Sequence, residues 1–320
     1  MLQKEYVRTM GLLPGYRWWK PLLALALAIL FFLVFQILFV VVFLACLITL
    51  QSIGANDVPT LQGILQGLNN GVHETLVSND PSSIVFALAP FALALPAIAL
   101  SLKITGLGHL GTISSVEGRI RWDRLGTYLV VSLVCILLLV FLIPWATDAP
   151  LEKPANMPSP HIVPGALLAI LLLTPLQSAS EEYLFRGFMT QLFGSCIPFV
   201  LVPVVLQALI FAVTHFYDPS STIAVACMGA TMGFLTVKLG GLEAAIAFHT
   251  VNNLSSFLFA SLFSSSITLG QDRISTLMVA ISIYLVYAGA ALLIAAKNGW
   301  IAVDPPYVRE SPSIRIPRDF

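Results

Sequence analysis

The chain has 320 residues, of which 58% are hydrophobic and only 10% charged, and its formal net charge is zero. Mean hydropathy is +0.90, whereas soluble domains carry roughly 25% charged residues. A soluble globular domain is therefore excluded, no nucleic-acid partner is expected, and the composition predicts an all-α, polytopic integral membrane protein embedded in a lipid bilayer.

In chain order, Lys4, Arg8, Arg17 and Lys20 precede an apolar run over 21–50. That run is too long for a signal-peptide core and lacks a clear small-residue cleavage site. It reads as a retained first span with length to spare for tilt. Further runs near the roughly 20 residues that cross a hydrocarbon core fall at 82–102, 125–146, 162–180, 197–215, 222–238, 242–264 and 275–296. About eight transmembrane helices are predicted, because backbone polar groups in lipid must be satisfied within their own segment. The connection 51–81 hints at a short surface helix in LQGILQGLNNGVHETL, and residues 304–320 read as a flexible cytoplasmic tail.

The connections sort by sign. Lys103, Arg119, Arg121, Arg124, Lys238, Lys297 and the termini gather the basic residues, while 51–81, 147–161, 216–221 and 265–274 hold mainly acids. By the positive-inside rule both termini face the cytoplasm, and a plasma (inner) membrane is the expected location. Cys46, Cys135, Cys196 and Cys227 all lie in apolar stretches without CxxC spacing and read as small hydrophobes.

Ionisable groups inside a span are functional candidates by default, and here they concentrate in 162–264. Glu181, Glu182, Arg186, His215, Glu243, His249, Asn252 and Asn253 all fall there, whereas the apolar parts of the first three spans hold little beyond Gln36. Glu182 and Arg186 are four residues apart with the acid first, the favourable order for a same-face ion pair. Glu181 points about 100° away from Glu182 and is left free of that contact, suited to taking a proton from water. His249 and Asn253 share one face of the seventh span. Glu243 is expected at the cytoplasmic boundary beside Lys238, with no assigned role, and His109 and His161 read as solvated.

Other intramembrane chemistries find no motif. His73-Glu74 begins like HExxH, but Val77 stands at the second histidine position. No GxGD-type aspartate pair or GxSG-like serine occurs. A glutamate and a histidine acting on water remain.

The stretches EEYLFRG (Glu181–Gly187), FAVTH (Phe211–His215) and HTVNN (His249–Asn253) resemble the EExxxR, FxxxH and HxxxN motifs of the CPBP (CAAX protease and bacteriocin-processing, Abi) intramembrane proteases, which include the type II CAAX prenyl endopeptidases. GATMGFLTVKLGGLEAAIAFH also resembles the family's Gly-rich sixth span, with Gly229 and Gly233 letting helices approach closely. The resemblance covers 162–264. It implies a conical intramembrane active-site cavity and an intramembrane endopeptidase of glutamic type, a family formerly regarded as metalloproteases. Glu181 with His215 would activate water, His249 and Asn253 would donate hydrogen bonds to the oxyanion, and Glu182 and Arg186 would support the site. No cofactor is implied, although Glu181, His215 and His249 could ligate zinc as a Glu/His₂ set. The implied partner is a membrane-associated peptide or protein, prenylated in the best-known family case. Two other readings stand beside it: a non-enzymatic immunity or scaffold protein of the same fold, and a proton-coupled transporter. The chain would divide into a three-span region at 1–161, a catalytic core at 162–264, an eighth span at 265–303 and the tail at 304–320.

Overall fold

The computed structural model describes residues 4–53, 62, 79–147, 163–215, 217–263 and 273–301. The surface helix expected in 51–81, the tail, and most of the connections 147–161 and 265–274 lie outside the described residues. Among the described residues the fold is helical, with one isolated antiparallel bridge between Ser115 and Gly241.

Helices occupy each of the eight predicted positions. After a short α1 (Lys4–Arg8) and a 3₁₀ turn, α2 runs Lys20–Ser52; α3 (Pro81–Ala92) and α4 (Ala94–Thr105) follow, then a five-residue α5 (Leu110–Ser114). The rest are α6 (Trp122–Thr147), α7 (Pro164–Glu182), a π segment (Tyr183–Met189), α8 (Thr190–Cys196), α9 (Leu201–Val213), α10 (Pro219–Leu239), α11 (Glu243–Phe263) and α12 (Arg273–Lys297). Among the described residues, four stretches are long and apolar enough to cross a membrane by length and composition: Lys20–Ser52, Pro81–Thr105, Pro219–Leu239 and Leu277–Lys297. The first of these presents most of its surface outward, including Leu30, Leu33, Ile37 and Val41, as lipid requires of a span with few protein neighbours.

The second predicted span is broken at Leu93. Pro96 has no amide hydrogen to give to the Ala92 carbonyl four residues back. The Ser180 hydroxyl donates to that carbonyl at 3.3 Å, and Gln36 Nε2 donates to the neighbouring Pro90 carbonyl at 2.8 Å. Gln36 of the first span thus adds a side-chain donor to a carbonyl that also accepts the Leu93 amide at 3.2 Å.

A larger difference from the sequence reading concerns the charged stretch that seemed to close the fourth span. The helical path does not end at Glu182; it continues through the π segment into α8. Glu181 therefore lies within a long helical rod, about 25 Å from its start at 1.5 Å per residue. It is not at the end of the helical path. Along this rod α1 packs against α8 at Gly194, where an added Cβ would lie 2.2 Å from the Val7 carbonyl oxygen.

The core has two main parts. Tyr128, Met232, Leu235, Phe248 and Tyr287 join α6, α10, α11 and α12, and the Tyr287 hydroxyl donates to the Ala244 carbonyl at 2.7 Å. Met10, Ala24, Ile98, Ile113, Tyr183, Phe188 and Ile246 join the N-terminal elements to the π segment and α11. The expected close approach at the α10 glycines is present. A Cβ on Gly229 would lie 3.1 Å from Ala208, one on Gly233 2.5 Å from Gln207 Nε2, and that amide instead donates to the Gly229 carbonyl at 2.9 Å.

Candidate active site

The site is built where α7 packs against α11. The expected ion pair forms, with Arg186 Nη1 3.1 Å from Glu182 Oε1 and both side chains fully buried. It sits at the entry to the π segment, and just past that segment's far end Thr190 Oγ1 donates to the Phe185 carbonyl at 3.1 Å. Such wider turns occur mostly as single insertions at functional sites. Gly187 lets this segment press on its neighbours, its hypothetical Cβ 3.2 Å from the Ile113 carbonyl oxygen.

Glu182 has a second partner that the sequence did not reveal. His249 Nδ1 lies 2.7 Å from the same Oε1. A carboxylate paired with an arginine can only accept, so Nδ1 carries the hydrogen and Nε2 is left available. That nitrogen lies 3.6 Å from Glu181 Oε2, an ion-pairing distance longer than a hydrogen bond. Glu181 Oε2 is buried without a hydrogen-bond partner. Its other oxygen accepts from Gln177 Nε2 at 2.5 Å, and Gln177 Oε1 in turn accepts from Asn253 Nδ2 at 3.2 Å.

His215, at the end of α9, is joined to this group through Phe211. Its Nδ1 lies 2.7 Å from the Phe211 carbonyl oxygen, which can only accept, so here too Nε2 is left open. The Phe211 ring meets the rings of His215 and His249 edge-on, with centroids 4.6 and 6.0 Å away. The Arg186 guanidinium carbon lies 4.0 Å from the same ring centroid, within cation–π range. Phe211 is thus the apolar post around which both imidazoles and the guanidinium are arranged. Among the described residues, no set of three His, Cys, Asp or Glu side chains is disposed to hold a metal ion.

The structure brings together Glu181, Glu182, Arg186, His249 and, through Gln177, Asn253. His215 joins through packing. Glu243, given no role from the sequence, is paired with Arg121, with Nη2–Oε2 at 2.5 Å, Nε–Oε1 at 2.9 Å and the Arg121 backbone amide on Oε1 at 2.9 Å. His109 is exposed as expected, its Nδ1 accepting the Gly111 amide at 3.0 Å to cap α5; His161 lies outside the described residues.

All of these site residues fall within one matched segment. Residues 163–255 match the family model described as type II CAAX prenyl endopeptidase Rce1-like. This agrees with the resemblance carried by the three motifs, and it implies intramembrane endopeptidase activity in general, a bilayer setting and a peptide substrate. A relative described as "Uncharacterized protein YyaK", from Bacillus subtilis (strain 168), is 23% identical over 241 residues, covering 70% of this chain and 80% of its own length. No solved structure matches the chain.

Gln177 is the site residue that the sequence reading passed over. The signal was present, because Gln177 and Glu181 have the same i, i+4 spacing that identified Glu182 and Arg186.

Proposed function

We propose that the chain is a glutamic-type intramembrane endopeptidase that cleaves a membrane-associated peptide or protein by direct attack of water. The observation that carries this reading is the buried Glu181 carboxylate, with one oxygen held by Gln177 and the other unpartnered beside His249 Nε2. A carboxylate oxygen facing an imidazole in an apolar surround can take a proton from water as the hydroxide attacks a carbonyl carbon.

His215 shares the activation of water with Glu181, its open Nε2 accepting or returning a proton while the Phe211 carbonyl fixes its tautomer. Asn253 uses one amide hydrogen on Gln177 and has a second for the developing oxyanion. His249 donates from Nε2 when both ring nitrogens carry hydrogens, a charge-assisted donor held by Glu182 at the opposite nitrogen. Collapse of the tetrahedral intermediate returns a proton to the leaving amine, and no acyl-enzyme forms. Glu182 and Arg186 orient His249 without entering the chemistry. The reaction in this reading needs no metal.

The substrate class in this reading includes prenylated C-terminal peptides. The protein would span a plasma membrane about eight times with both termini cytoplasmic, a reading supported by helix at each of the eight predicted positions and by the one-sided basic connections.

The test is cleavage of a panel of membrane peptides, including a farnesylated CAAX peptide, by purified protein in detergent. Glu181→Gln is expected to lower turnover by about 10²–10⁴-fold, the usual contribution of a general base, with an unchanged melting profile. Activity is expected to persist in EDTA or phenanthroline. Loss on chelation with recovery on zinc addition would replace the glutamic mechanism by a metal-dependent one.

A further inference from the structure

We infer that Gln177 is a positioning residue, holding Glu181 and Asn253 in register across α7 and α11; the inference rests on the peptidase reading above. Four side chains form a chain of hydrogen bonds with one direction. Asn252 Nδ2 donates to Asn253 Oδ1 at 3.3 Å, Asn253 Nδ2 to Gln177 Oε1 at 3.2 Å, and Gln177 Nε2 to Glu181 Oε1 at 2.5 Å. The Ser178 hydroxyl adds a second donor to Gln177 Oε1 at 3.2 Å.

The polarity is set by the acid at the end. An ionised carboxylate only accepts, so the Gln177 amide must turn its nitrogen toward Glu181 and its oxygen toward Asn253. Turning the glutamine over would put oxygen against oxygen at the carboxylate and nitrogen against nitrogen at Asn253. Gln177 is buried and fully committed, with donors or acceptors engaged at both ends of its amide. Its effect is to select which oxygen of Glu181 is occupied, leaving Oε2 as the oxygen beside His249, and to fix the amide of Asn253 from a different helix.

A purely structural glutamine would act as a weak tie between helices, worth about 0.6 kcal/mol for an average interhelical hydrogen bond in a membrane. The two roles separate in Gln177→Met, which keeps the side chain's length and removes its hydrogen bonds to Glu181, Asn253 and Ser178. Positioning predicts that kcat falls about 10- to 100-fold while KM stays within about twofold and the melting midpoint hardly moves. It also predicts that Gln177→Met and Asn253→Ala combine with far less than the product of their separate losses in kcat.

A second readout does not depend on cleavage. The infrared carboxylate stretch of Glu181, located as the band lost in Glu181→Gln, is expected to shift in Gln177→Met. An unmoved band overturns the inference, as does an unchanged kcat in a wild type that cleaves. A shifted band in a protein that cleaves nothing supports the positioning contact while overturning the peptidase reading.

Discussion

Two buried glutamate–arginine pairs hold this molecule together, and they are finished to different degrees. At the turn into α11, Arg121 meets Glu243 through two side-chain nitrogens and its own backbone amide, and its guanidinium also reaches the Leu239 carbonyl at 3.4 Å. Glu117 adds a second acid 3.8 Å away. At the site, Arg186 and Glu182 are just as buried, yet no guanidinium nitrogen makes a well-aligned hydrogen bond, and Glu182 Oε2 has none either. The saturated pair fastens a connection to a helix start. The unsaturated pair keeps spare hydrogen-bonding capacity next to an imidazole and an unpartnered carboxylate oxygen.

Breaking each pair from one side should look alike. Arg121→Met and Arg186→Met each leave a buried carboxylate without its arginine, and each is expected to destabilise the fold by about 3–5 kcal/mol, seen as lost folded yield and a lower melting midpoint in detergent. Replacing both partners should separate them. The Arg121→Met, Glu243→Met double variant is expected to recover most of that stability, since an apolar pair of similar volume is often neutral, and to retain cleavage. The Glu182→Met, Arg186→Met double variant is expected to recover stability without cleavage, because His249 loses the partner that fixes its tautomer. Equal activity in the two double variants would erase the distinction.

Smaller changes sharpen the same contrast. Asn253→Ala is expected to lose about 2.7–4 kcal/mol of transition-state stabilisation, as for a removed oxyanion donor, read as lowered kcat with the fold intact. Gly194→Ala places a methyl on the Val7 backbone and is expected to cost about 1–3 kcal/mol by overpacking, with KM unaffected. Tyr287→Phe removes one buried hydrogen bond to Ala244 and should cost about 0.5–1.5 kcal/mol, measured as a modest fall in melting midpoint.

Much of the architecture was legible because apolar run length is a coarse, strong signal: each of the eight predicted segments coincides with helix. The Glu182–Arg186 pair was legible because i, i+4 geometry is local. Less visible was everything that depends on two distant segments meeting. Arg121 and Glu243 lie 122 positions apart, and nothing in either neighbourhood names the other. The bond from His249 to Glu182 is of the same kind. The continuation of α7 past Glu182 was hidden for a different reason, since a cluster of charges ordinarily marks a membrane boundary. Here the charges are covered by α5, α9 and the N-terminal elements instead of by water.

The hydroxyl of Tyr6 donates to the Ile113 carbonyl at 2.7 Å and reaches the Arg186 carbonyl of the π segment at 3.4 Å. A single hydroxyl thus ties α1 at once to α5 and to the π segment, 107 and 180 positions further along the chain. A change as small as Tyr6→Phe therefore reaches the backbone that carries Arg186.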